Sequence, residues 1–122
     1  MRSTMNPPAF PDSAGVRHAD PAGYVGALPG ILRKTMVEGG QTQLAEFKLA
    51  RNAVIPAHRH PQEQTGYLVS GHIILNIAGV DHEMRPGDAW TIPGDIEHRA
   101  TILEDSVAIE VFSPARPDYR GG

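Results

Sequence analysis

The sequence predicts one all-β domain closed into a small barrel, and three observations carry that prediction. The chain has 122 residues, enough for one hydrophobic core and too few for two. Its 13 Gly and 11 Pro are spread along the whole length, which interrupts helices and multiplies turns. From Leu32 onward, short alternating runs are punctuated at intervals of roughly 8–12 residues, the rhythm of a sandwich or barrel, and no stretch shows the period of an amphipathic helix.

Taken in order, residues 1–30 hold Pro7, Pro8, Pro11, Pro21 and Pro29 without hydrophobic periodicity. They read as an extended arm that wraps a surface or a neighbouring subunit. The barrel is expected over residues 31–116, with strands at Ile31–Val37, Thr42–Leu49, Ala53–His58, Thr65–Val69, His72–Ala78, Asp81–Met84, Ala89–Ile92, His98–Ile102 and Val107–Phe112. Breaks are expected at Gly39-Gly40, Arg51-Asn52, Ser70-Gly71, Gly79-Val80-Asp81, Pro86-Gly87-Asp88, Pro93-Gly94-Asp95 and Glu104-Asp105. Residues 117–122 read as a tail leaving the last strand.

The formal net charge is -3, with 11 basic residues scattered among 14 acids. No basic run tracks a phosphate backbone, so nucleic acid is not expected as a partner. The apolar runs are short and the first residues lack the apolar core of a signal peptide, so no membrane partner is expected and a cytoplasmic location is. With no cysteine, any metal must be held by nitrogen and oxygen donors, which directs attention to the six histidines.

His58 and His60 stand at i and i+2, which in extended backbone places both rings on one face, about 6–7 Å apart at Cα. A third donor, Gln64 or Glu63, follows a bend at Pro61. A fourth, His98, arrives from a distant strand through the loop Pro93-Gly94-Asp95-Ile96-Glu97. His18, His72 and His82 read as solvated or turn histidines. On the last strand Glu110 and Phe112 share a face, and Val107, Ile109 and Val111 form an apolar row on the other. If the Glu110 face is interior, burial raises its pKa and a nearby cation lowers it. The planar guanidinium of Arg116 suits two parallel hydrogen bonds to a carboxylate.

Together the two histidine segments resemble the cupin superfamily, in its small single-domain conserved-barrel form. Its first motif is G-x5-H-x-H-x3,4-E-x6-G and its second G-x5-P-x-G-x2-H-x3-N. His58, His60 and Gly71 fill the first, Gly87, Pro93 and His98 the second, over roughly residues 40–113. The departures are Asn52 for the opening glycine, Gln64 for the glutamate, Asp95 for the second-motif glycine and Ile102 for the asparagine. The resemblance implies a double-stranded β-helix, or jelly-roll barrel. The neutral Gln64 amide leaves a divalent site near about +2, where a glutamate leaves about +1, and so makes the ion a stronger Lewis acid.

The strings H-P-x-E-Q-x-G-Y and V-F-S-P-x-R-x-D-Y resemble a narrower cupin group. It includes small metal-dependent enzymes of pectin and alginate breakdown that open unsaturated uronates to linear keto sugars. That resemblance implies one divalent transition metal (zinc, nickel, manganese or iron) held by His58, His60, Gln64 and His98. It also implies substrate contacts from Glu110, usually aspartate there, from Phe112 and from Arg116, with Glu110 and Arg116 in the catalytic roles. An iron- or manganese-dependent dioxygenase and a non-catalytic module binding a small molecule are the alternatives. A homodimer is expected from the exposed edge of an open sandwich.

Overall fold

Alternation of apolar and polar residues sets the strands, and glycine sets where they bend. The computed structural model describes residues 14–119; the first part of the expected arm and the last three residues of the expected tail lie outside them. The strands are β1 (Val25–Leu28), β2 (Ile31–Glu38), β3 (Gln43–Leu49), β4 (Val54–His58), β5 (Glu63–Ile77), β6 (Val80–Met84), β7 (Ala89–Ile92) and β8 (His98–Ser113), followed by one 3-10 turn at Pro117–Tyr119. Every pairing is antiparallel.

One layer runs β1-β2-β3, then the second half of β8, the first half of β5, and β7. The other runs β4, the first half of β8, the second half of β5, and β6. The fold is all-β and single-domain, as expected. No helix among the described residues is long and apolar enough to cross a membrane.

Two expected breaks are not breaks. Ser70-Gly71 and Glu104-Asp105 lie inside the long strands β5 and β8, which pass through both layers. The pairing slips at Leu68/Ser70, Ser70/His72 and His72/Ile73, so an irregular bend replaces a turn. Gly71 makes it possible: its φ is +96°, and a Cβ there would lie 2.0 Å from the Ser106 Oγ. The slip reverses which positions of β5 face inward, from Gln64, Gly66 and Leu68 to Ile73 and Leu75, as a one-residue shift must.

The chain ends also depart from expectation. β1 lies within the segment read as an arm and pairs with β2, Val25 opposite Arg33. The residues before it lie on this chain's own barrel: Arg17 donates to the Thr35 carbonyl at 3.1 Å, and Lys34 donates to the Asp20 carbonyl at 2.7 Å. Lys34 is thereby fully buried, its ammonium 5.1 Å from the centre of the Tyr24 ring. At the other end Tyr119 turns back instead of leaving. Its ring meets Phe47 at 6.1 Å and Phe112 at 5.2 Å, and its carbonyl accepts from Thr35 Oγ1 at 2.6 Å. Burial of this aromatic surface holds the tail against the barrel.

The core joins both layers through Phe47, Leu68, Ile73, Trp90, Ile102 and Phe112. It does not fill the barrel. A cavity of about 310 Å³ remains, lined by residues of both layers including His58, Gln64, His98 and Glu110.

Candidate metal centre

β4 ends at His58 and β8 begins at His98, and the two are paired across the ladder. His60 lies beyond the end of β4, so strand alternation does not aim it. The intervening loops do. The Asp95 amide donates to the His60 carbonyl at 2.7 Å, and a Cβ on Gly94 would stand 2.3 Å from the Pro61 carbonyl oxygen. Only glycine lets the Pro93–Asp95 loop press so closely on the His60 segment. Two departures from the cupin glycines find their explanation here: Asn52 (φ 71°) and Asp95 (φ 64°) both adopt the left-handed conformation, which Asn and Asp tolerate best after glycine.

The three rings converge. Centroids lie 4.3 Å apart for His58 and His98, 5.1 Å for His60 and His98, and 5.6 Å for His58 and His60. One nitrogen from each falls within 4.8 Å of the other two, a group able to hold a metal ion. Burial holds His98 down to about 4 against an ordinary 6.5, with the neighbouring histidines and Arg116 adding to the effect. Burial, then Arg116, then His58 lower the pKa of His60. Near neutral pH both rings are therefore uncharged, the form that ligates.

Each Nδ1 lies beside a main-chain carbonyl: His58 with Pro56 at 2.9 Å, His60 with Gln62 at 3.1 Å, and His98 with Ile96 at 2.8 Å. Such contacts keep the proton on Nδ1 and leave the Nε2 lone pair free. His98 Nε2 is buried without a partner. Gln64 Oε1 stands 3.0 Å from His60 Nε2, although the neutral His60 ring has one N–H for two oxygen neighbours. Two lone pairs thus face each other, an arrangement relieved by a cation between them. The donor set fits a divalent transition ion bound by neutral nitrogen and amide oxygen.

Glu110 joins this cluster through Gln64, with which it shares a hydrogen bond, and it accepts a second from Trp90 Nε1 at 3.0 Å. Burial pushes its pKa up to about 8, and these two hydrogen bonds oppose the rise. Gly66 is the floor beneath both groups, paired with Trp90 on one side and Glu110 on the other. Glu63 is exposed, on the opposite face of β5 from buried Gln64. Phe112 is buried, its ring 5.8 Å from His60. Arg116 also lines the cavity, but its fork is engaged: Nε and Nη2 donate to Asp118 at 3.4 and 3.1 Å, and Nη1 donates to the Tyr119 hydroxyl at 3.1 Å.

Sequence reasoning missed Trp90, whose place beside Glu110 depends on cross-strand register. It also missed Gln43, fully buried, whose amide accepts from the Arg116 N–H at 3.1 Å and donates to the Arg116 carbonyl at 3.3 Å, fixing where that residue starts. Neither had a linear signal beyond the alternation that turns Gln43 inward.

The Cupin domain family matches residues 45–113. The chain is a member of the cupin family. Among curated relatives, this cupin is 29% identical over 92 residues to the pectin degradation protein KdgF of Dickeya dadantii, covering 74% of this chain and 84% of that one. It is 36% identical over 62 residues to an acireductone dioxygenase of Bacillus cytotoxicus, but the match covers 45% of this chain and only 36% of the dioxygenase. Among solved structures, KdgF from a Halomonas species superposes with a TM-score of 0.82 at 31% identity, covering 87% of this cupin and 98% of that chain.

Proposed function

We propose that this cupin is a metal-dependent enzyme that opens the ring of unsaturated uronates. In this reading His58, His60, Gln64 and His98 hold the ion, Glu110 moves the proton, and Phe112 and Arg116 contact the substrate. The observation that carries it is the Gln64 amide, which faces the histidine cluster with its oxygen and Glu110 with its nitrogen. A proton-transferring carboxyl and a candidate metal centre therefore share one cavity at hydrogen-bond range. Similarity to the two KdgF proteins supports the substrate class.

When bound, the ion supplies Lewis acidity toward a substrate oxygen. Glu110 as carboxylate takes the proton of the anomeric hydroxyl. The carbonyl forms as the bond from the anomeric carbon to the ring oxygen breaks, and that oxygen is left as an enolate. Glu110 returns the same proton to the enolate carbon, which leaves a ketone. The reaction is an isomerisation with nothing oxidised or reduced, so no co-reactant is required. A carboxyl held near neutral pKa suits both halves of the transfer.

The test is incubation of purified, metal-replete protein with unsaturated galacturonate, following loss of the enol-ether absorbance. Ring opening faster than in buffer plus metal is expected, as is its loss in Glu110→Ala with the ion retained. No acceleration removes this reaction. The similarity to acireductone dioxygenase supports a second reading, oxygen activation at the same histidines, for which oxygen consumption with an enediol substrate is the discriminating measurement.

A further inference from the structure

We propose that Arg33, a residue with no counterpart in either cupin motif, is the principal anchor for the carboxylate of an acidic ligand in the cavity. The inference deepens the reading above by naming the residue that selects a sugar acid over a neutral sugar, and it shares the premise that the cavity takes such ligands.

Arg33 projects from β2 into the cavity, opposite Phe47 on β3. Its guanidinium stacks on Tyr119, with Cζ 4.1 Å from the ring centre. Its Nε is buried and has no hydrogen-bond partner, and no carboxylate among the described residues is paired with it. The cavity's other stacked guanidinium is in a different state. Arg116, 4.2 Å from the same ring centre, is already neutralised by Asp118 through two contacts. Among the described residues the cavity wall carries two carboxylates, Glu110 and Asp118; the first belongs to the metal side and the second to Arg116.

An arginine with one donor, Nε, shielded from water without replacement is in an unfavourable state that an incoming anion relieves. The planar fork, kept in place by the ring beneath it, is matched to a carboxylate held by two hydrogen bonds. The ring is itself placed: Tyr119 meets Phe112, and Phe112 meets His60. One continuous aromatic wall thus runs from the histidine cluster to Arg33, and a small ligand lying along it presents its carboxylate to Arg33 and its oxygen-bearing carbon to the cluster. At about 310 Å³ the space is at the small end of ligand pockets, which span about 300–1,000 Å³, the scale of a monosaccharide.

The experiment compares binding of galacturonate and galactose to the full chain as purified, read by Trp90 fluorescence and by calorimetry, for the wild type, Arg33→Gln, Arg33→Lys and Asp118→Asn. The wild type is expected to prefer the acid by about tenfold or more, the worth of one charged hydrogen-bonded pair. Arg33→Gln should lose most of that preference with galactose affinity unchanged, and Arg33→Lys should restore part of it. A preference that survives undiminished in folded Arg33→Gln overturns the proposal, and its growth in Asp118→Asn then assigns the anchor to Arg116. Absence of any preference in the wild type overturns it as well. The ring-opening assay is separate: acid binding through Arg33 without turnover sinks the catalytic reading alone, and turnover indifferent to Arg33 sinks this one alone.

Discussion

Replacing Gly66 with alanine is a direct test of how the acid end of the site is built. An ideal Cβ there would lie 2.2 Å from both Cε2 and Nε1 of Trp90 and 2.4 Å from Glu110 Oε1. The indole and the carboxyl must each withdraw by about an ångström or more to reach ordinary contact. Overpacking of this kind costs about 1–3 kcal/mol, and losing the Trp90–Glu110 hydrogen bond adds about 1 kcal/mol. With a urea slope of about 1.5 kcal/mol per molar, the midpoint should fall by about 1–3 M. The chain has a single tryptophan, so its emission reports unfolding and also displacement of the indole in the native state. Gly26→Ala is the control, since nothing lies within 4 Å of its Cβ, and its midpoint should stay within about 0.5 kcal/mol of the wild type. A Gly66→Ala protein with wild-type midpoint and emission would refute the placement of Trp90 and Glu110 over this glycine.

Two further outcomes follow from the histidine cluster. His98→Ala should reduce tightly bound metal from stoichiometric to trace amounts in tag-free protein measured by elemental analysis, a loss larger than the roughly 10–100-fold cost of removing an outer partner; unchanged stoichiometry removes His98 from the ligand set. In metal-free protein, His98 sits at about 4 when folded and near 6.5 when unfolded, so the unfolded chain takes up the proton first as pH falls. Stability should therefore decline from about pH 6.5 down to about pH 4, by about 2–3 kcal/mol, and urea midpoints of His98→Gln across that range should lack this slope.

The strand plan was legible because alternation survives wherever one face is buried. Five of the eight strands, β2, β3, β4, β6 and β7, begin and end within two residues of their expected limits, and β5 and β8 each join two expected strands. The misread places share one cause. Ser70-Gly71 has turn composition, yet a glycine at positive φ serves a bent strand as readily as a turn, and only the partner strand decides which. The pairing of β1 and the return of Tyr119 depend on contacts with residues far away in sequence, which local pattern does not encode. In the site, His58, His60 and His98 could be found from spacing, and the parity of β5 separates Gln64 from Glu63. Trp90 and Arg33 could not be found that way, since each matters through what lies across the sheet from it.

β5 and β8 are each members of both layers, and between them they carry Gln64, His98, Glu110 and Phe112. The two layers are therefore tied together by two strands paired with each other, and moving one layer against the other would bend β5 and β8 together. The cavity wall also takes in Ala27 and Leu28 of β1, Pro56 of β4 and Tyr119 of the C-terminal turn, so three separate parts of the chain bound the space a ligand can take.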